Sequence, residues 1–295
     1  MPARDLVLIL VICIAWAGNF LASAHALQEI PPFLYTAIRM AILAAILAVM
    51  IKPPAKGQWP RLLAVAICNN VLHFGLSFWA LKMAGNLSSV AIVMQSYVPM
   101  SAVLAWVVLG ERFGWRTATA IVVSFGGILV LGFDPLVLDR PLSLAMMLVS
   151  AAFLALGTVL MRRLTGLGMV SQQGWSAVIS VLPLFGLSLL LEPGGLAALA
   201  DATWVGWTGA LYSALIASLL GHGLYFVLVQ RHPIAELTPW LLLTPILAVV
   251  LGIVFWGDRP GPQLWIGGAM VLGGVLMIAL RAKAKARPLP PAKEI

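Results

Sequence analysis

The chain has 295 residues, of which 62% are hydrophobic and only 9% charged, with a mean hydropathy of +1.03. A soluble domain carries about 25% charged residues, so the composition excludes a soluble globular protein and indicates a polytopic one whose first partner is the lipid bilayer. The formal charge of +8 is read as membrane topology, with no nucleic-acid partner implied.

A helix needs about 20 mostly apolar residues to cross the hydrocarbon core. Ten such runs are present: 6–25, 33–51, 61–82, 87–109, 116–133, 142–162, 171–191, 204–229, 235–256 and 263–281. Pro31-Pro32, Pro53-Pro54, Gly85-Asn86, Asp134-Pro135, Pro193-Gly194-Gly195 and Pro260-Gly261-Pro262 separate them. The opening run exceeds signal-peptide length and lacks a small-residue cleavage site, so it reads as the first span. Cys13 and Cys68 sit inside apolar runs and are expected to be packed thiols. The short connections leave no room for a soluble domain. Fourteen of the 18 Lys and Arg residues fall on one side of the runs and three on the other, with Arg39 inside a span. That asymmetry places both termini, and a basic tail over 282–295, in the cytoplasm.

The chain also repeats itself. Pro99, Gly110-Glu111-Arg112 and Gly126-Gly127 recur as Pro245, Gly257-Asp258-Arg259 and Gly273-Gly274, at offsets of 146, 147 and 147 residues. Gly75-Leu76-Ser77-Phe78 is echoed by Gly223-Leu224-Tyr225-Phe226 at an offset of 148. One period held across apolar sequence is the mark of an internal duplication. Five spans per copy is an odd number, so the second copy is inverted in the membrane. The expected fold is an all-α integral membrane protein of ten helices in an inverted 5+5 arrangement, N-in and C-in. Its halves are 1–137 and 138–281. Such repeats place a site near the midplane, where the halves meet.

Trp16-Ala17-Gly18-Asn19-Phe20 in the first span resembles the Trp-Gly-x-Asn-Phe signature of the drug/metabolite transporter superfamily, EamA type. Ala91–Gly132 and Leu237–Leu280 resemble that family's twin pattern of a proline, an acidic residue after glycine, and glycine-pair helices. The resemblance covers nearly the whole chain. It implies a ten-span carrier of amino acids, metabolites or drugs, and within the family the chain is most similar to the YddG-type exporters of aromatic and other neutral amino acids. One departure is Asp258 before Arg259-Pro260 in the second copy, where the loop contacts can differ from the family's usual form.

Ionisable groups inside a membrane are expensive and are functional candidates by default. Arg39 is either a cation for a substrate carboxylate, or an interhelical brace, or a side chain snorkelling to the surface. His73 and His222 could titrate and couple transport to protons, or hydrogen-bond to neighbouring helices as neutral imidazoles. Asn70, His73 and Ser77 share one face of the third span, with Asn69 beside them, and a polar stripe there must point into a cavity or another helix. Gln95, Ser96 and Tyr97 precede Pro99. Thr238-Pro239-Trp240 and Thr244-Pro245 interrupt the ninth span, as broken helices at carrier sites do or as kinks bent for packing do. Trp59, Trp79, Trp115, Trp204, Trp207, Trp256 and Trp265 lie near span ends and suit interfacial belts. Trp16, Trp175 and Trp240 lie deeper and, with Tyr97 and Tyr225, could line a cavity or pack in the core. The candidate substrate-binding set is Trp16, Asn19, Arg39, His73, Ser77, Gln95, Tyr97, Trp175, Tyr225 and Trp240. The glycines of the fifth and tenth spans offer close-approach faces, for scaffolding or for a dimer contact.

No nucleotide-binding loop, HExxH or Gly-x-Ser-x-Gly motif is present, and the reading calls for no cofactor and no metal. The expected function is secondary export of amino acids or similar small amphipathic metabolites across the inner membrane by alternating access, by a monomer or homodimer. A multidrug exporter of the same family, a membrane-embedded lipid-modifying enzyme and a channel are the alternatives. The enzyme would need a cluster of acids, bases or metal ligands on facing helices, which four histidines and ten acids do not readily supply.

Overall fold

The computed structural model describes residues 1–232 and 234–285, and every regular element among them is helical. Eight helices are long and apolar enough to cross a membrane: α1 (Ala3–Glu29), α3 (Trp59–Ala84), α4 (Ser88–Leu109), α6 (Pro141–Met161), α7 (Met169–Leu191), α8 (Trp204–Arg231), α9 (Glu236–Trp256) and α10 (Pro262–Ala282). Two shorter apolar helices, α2 (Pro32–Leu47) and α5 (Trp115–Leu131), lie among them, and the short helices Pro135–Leu138 and Gly195–Ala200 fall in the connections. Each apolar run read from the sequence falls on one of these helices. Large apolar side chains such as Val7, Leu10 and Ile14 stand exposed along one stripe of α1, the arrangement of a chain whose outer solvent is lipid. The protein is a multi-pass membrane protein. Residues 286–295, most of the expected basic tail, lie outside the described residues.

Helix α2 ends four residues before its apolar run does. Its chain turns at 48–50 to pass α7, where Ile51 lies against Gly174 and the Lys52 N–H donates to Ser171 Oγ at 2.9 Å. Helix α4 is broken at Gln95–Ser96, three to four residues ahead of Pro99, and α9 at Leu242, three ahead of Pro245. A proline inside a helix removes one N–H and crowds the carbonyl four residues back. Both helices end on a glycine in the left-handed region, Gly110 (φ 71°) and Gly257 (φ 82°). In each case the following acidic residue donates its N–H six residues back, Glu111 to Ala105 O at 3.3 Å and Asp258 to Gly252 O at 2.9 Å. The glycines of the repeated tripeptides are therefore helix stops, which only a residue without Cβ adopts cheaply.

Beyond those stops the two acids part ways. Glu111 is half exposed in an ion pair with Arg162 (2.9 Å). Asp258 is 6% exposed, and its Oδ2 accepts the N–H groups of Leu87 and Ser88 and the Ser88 hydroxyl, at 3.0, 2.8 and 2.6 Å. Three further carboxylates at that end of the bundle do the same for other helix starts. Glu192 accepts from Phe33 and Leu34 N–H, Glu29 from Thr203 and Gly206 N–H, and Asp134 from Leu136 and Leu264 N–H. Free first-turn N–H groups and the positive end of the helix dipole favour a carboxylate there. Each of the four reaches a helix more than 100 residues away in the chain. The opposite end is tied by Asp5, which pairs with Arg231 (3.0 Å) and His232 (2.6 Å).

Helices α5 and α10 lie nearly backbone to backbone. A Cβ on Gly127 would meet Gly267 O at 2.6 Å, and one on Gly267 would meet Gly127 O at 2.5 Å. Gly274 faces Ser124 and Ala120, whereas Gly268 faces Ile92 of α4 and Gly273 faces open space. Of the glycines in this pair, Gly127, Gly267 and Gly274 make the closest approaches.

Candidate functional site

Two helices carry wide, π-type turns in mid-course: Ile67–His73 in α3 and Tyr212–Gly221 in α8. In such a turn the i→i+5 pattern leaves carbonyls turned outward, and these turns recur at functional sites. Apolar periodicity carries no signal for them, and sequence reading missed them. In α8 one such acceptor is the carbonyl of the buried Ala217. It takes the indole N–H of Trp16 at 3.0 Å, and His222 Nδ1 lies 3.1 Å from it. With a carbonyl as partner, Nδ1 must carry the proton.

Trp16 lies near the middle of the 27-residue α1. Its ring sits 5.2 Å from His222 and 5.8 Å from Tyr225, both tilted. Tyr97, just past the break in α4, lies within electrostatic reach of Tyr225. All four are half-buried. Gly221 makes room for the indole, since a Cβ there would meet Trp16 Nε1 at 2.6 Å. One turn along α1, Asn19 Oδ1 lies 3.4 Å from Ser23 Oγ, which shares a 2.9 Å bond with the Tyr35 hydroxyl. The Tyr35 hydroxyl donates in turn to Gly209 O of α8 at 3.0 Å. Helices α1, α2 and α8 are thus joined by one polar chain beside the aromatic cluster.

A second polar region lies between α2, α3 and α8. Arg39 is 2% exposed. Its Nε and Nη2 both donate to Ser218 Oγ, at 3.1 and 2.7 Å, and its guanidinium lies 4.0 Å over the Phe74 ring. Ser218 Oγ donates to Ser213 O within the π-type turn (2.8 Å). His73 is held to α6, with Nδ1 2.8 Å from Ser150 Oγ and its own carbonyl accepting from the same hydroxyl at 2.9 Å. Ser77 is buried and donates back to Phe74 O (3.1 Å). Nothing in the sequence pointed to Ser150, which is an ordinary small residue in an apolar run.

The sequence-derived set therefore divides in space. Trp16, Asn19, Tyr97 and Tyr225 gather around α1, α4 and α8, with Gln95 buried at the break in α4. Arg39, His73 and Ser77 form the neighbouring polar region. Trp175 stands apart: its indole donates to Lys52 O (2.8 Å) and meets Trp59 edge-on at 4.9 Å, under the connection between α2 and α3. Trp240 is 52% exposed and is joined to α1 through its carbonyl, which accepts from Cys13 Sγ at 3.7 Å. Both cysteines are free and buried.

The model of the EamA-like transporter family matches this chain twice, over residues 4–133 and again over 141–280. The chain belongs to that family. A transporter family leaves no place for the membrane-embedded enzyme considered from the sequence. Among relatives, a protein of Escherichia coli (strain K12) named "Probable amino-acid metabolite efflux pump" is 24% identical over 93% of this chain and 94% of its own length. A protein of Streptantibioticus cattleyicolor named "Probable terminal-alkyne amino-acid exporter" is 28% identical over 63% of this chain and 62% of its own. A solved crystal structure with 18% identity superposes with a TM-score of 0.62, covering 96% of this chain and 99% of that one; at that identity the likeness concerns the fold.

Proposed function

We propose that the protein is a secondary carrier of the inner membrane that exports amino acids, chiefly aromatic and neutral ones, or similar amphipathic metabolites by alternating access. The observation that carries the reading is the mid-bundle aromatic cluster, in which Trp16 is pinned to Ala217 O between His222 and Tyr225. Flat aromatic faces receive an apolar or planar side chain, while the adjoining polar groups of α1, α2 and α8 suit the polar end of an amino acid. The relatives named as amino-acid efflux pumps and exporters support the same substrate class.

The architecture we propose is ten spans in two inverted five-helix halves, 1–137 and 138–281, with both termini cytoplasmic. The two family matches, the twin glycine stops, the proline-linked breaks in α4 and α9 and the mid-helix π-type turns of α3 and α8 all support that duplication. Asp5, Arg231 and His232 then close the cytoplasmic end, and the four helix-capping carboxylates close the outer end.

Counterflow in proteoliposomes with a panel of labelled amino acids tests the function. Wild type is expected to show saturable counterflow, as a channel would not. Trp16→Ala and Tyr97→Ala are each expected to lower it about tenfold, equivalent to about 1.4 kcal/mol of lost substrate interaction, with the yield of folded protein retained. Unchanged counterflow in both variants would remove the aromatic cluster from the substrate path.

A further inference from the structure

The charge of Arg39 has no anionic answer among the described residues. The ion pairs present there, Arg162 with Glu111 and Asp5 with Arg231 and His232, lie at one end of the bundle, far from mid-helix Arg39. His73 and His222 stand within electrostatic reach of it, and neither can supply a negative charge. Five N–H donors radiate from a guanidinium. Here two nitrogens crowd onto one hydroxyl oxygen, the face rests on a phenyl ring, and Nη1 is buried without any hydrogen-bond partner.

A brace is built differently. An arginine kept for holding helices together gains most when each buried N–H meets a carbonyl or carboxylate, and leaving one unmet is costly. The planar fork of an arginine matches the two oxygens of a carboxylate. Ser218 occupies only one side of that fork, and it sits in a π-type turn of α8, one residue after the carbonyl that anchors Trp16.

We propose that Arg39 is the carboxylate subsite of the carrier, binding the carboxylate of the transported solute through Nη1 and Nη2, with Ser218 Oγ as the stand-in acceptor when the site is empty. This rests on the reading of the chain as an amino-acid exporter and deepens it. Solutes with a free carboxylate are substrates, and their amides and esters are rejected.

The test is thermal unfolding of the purified full-length protein in chloride-free detergent buffer, with L-phenylalanine and benzoate as probes against L-phenylalaninamide and benzamide. The two carboxylates are expected to raise the unfolding temperature of wild type, and the amides to leave it unchanged. Arg39→Met is expected to unfold at a higher temperature than wild type when no probe is present, because an unanswered charge has been removed, and to lose all response to carboxylate. Arg39→Lys, which keeps the charge without the fork, is expected to bind the carboxylates at least tenfold more weakly and keeps the test open where Arg39→Met fails to fold. The surface variant Arg162→Gln is expected to respond as wild type does. A destabilised Arg39→Met that is still protected by phenylalanine, carboxylate affinity unaltered in Arg39→Lys, no protection of wild type, or equal protection by chloride alone would each overturn the proposal. Counterflow separates the two levels of inference. Flux of phenylalaninamide equal to that of phenylalanine sinks the subsite and keeps the carrier. Protection by benzoate that depends on Arg39, without any amino-acid flux, sinks the amino-acid substrate and keeps the carboxylate site.

Discussion

Replacing Asp258 by alanine is expected to lower unfolding stability by about 3 kcal/mol, whereas the same change at its sequence counterpart Glu111 is expected to cost less than about 1 kcal/mol. Asp258 Oδ2 is the shared acceptor for two backbone N–H groups and one hydroxyl at the start of α4. Removing it strands buried donors at about 1–3 kcal/mol each and removes a negative charge from a helix N-terminus. Relaxation and water entry recover part of that sum. Glu111 is about half exposed on both sides of its ion pair, and exposed pairs contribute about 0–1 kcal/mol. Asp258→Asn keeps an acceptor but loses the charge, so it should fall between the two. Denaturant titration of the four proteins in one detergent measures the series. Equal losses for Asp258→Ala and Glu111→Ala would show that the buried capping contributes nothing beyond a surface pair.

That contrast also marks what the sequence carries. Helix existence is written plainly, because a chain crossing hydrocarbon must satisfy its backbone internally and clothe it in apolar side chains. The repeated glycine-acid-arginine tripeptides were legible as landmarks, and the structure supplies the reason for their glycines: each ends a helix in the left-handed region. Their acids were not separable by letter, since a carboxylate's role depends on whether a helix start lies within reach. For Asp258 that start is 170 residues away in the chain.

The site follows the same pattern. Arg39 was visible as a charge inside a span, but its partner Ser218, 179 residues distant, is one small residue among many. Trp16 and Tyr225 were legible as deep aromatics, and the acceptor that positions Trp16 depends on a π-type turn that no local pattern announces. Trp175 has the same letter as Trp16 and stands elsewhere. The connection between α2 and α3 folds over the start of α7 and supplies Lys52 O to it, and the depth of a connecting segment is not encoded in the length of the apolar run.

The glycines of α5 and α10 give the sharpest opposition of sign. Gly127→Ala is expected to destabilise by about 2 kcal/mol, and Gly273→Ala to be neutral or stabilising by up to about 1 kcal/mol. Alanine is preferred to glycine in a helix by about 1 kcal/mol. Gly273 has no atom within 4 Å of the point its new methyl group would occupy, so it is free to collect that gain. At Gly127 the same methyl would stand 2.6 Å from Gly267 O, 2.7 Å from Met270 Cβ and 2.9 Å from Val271 N. Two of those atoms are backbone and cannot swing aside, so the helices must part. Overpacking of this kind costs about 1–3 kcal/mol, and separating α5 from α10 also loosens the Gly267 and Gly274 contacts, so the clash outweighs the helix preference. Gly127→Leu should go further and leave little folded protein. Unfolding midpoints of the alanine pair decide the matter, and equal midpoints would mean that the two helices are not seated on one another at Gly127. Because this contact is built from residues outside the Trp16 cluster, the alanine variants that do fold are expected to keep wild-type preference among amino acids in counterflow. A change in preference would instead tie α5 and α10 to the substrate path.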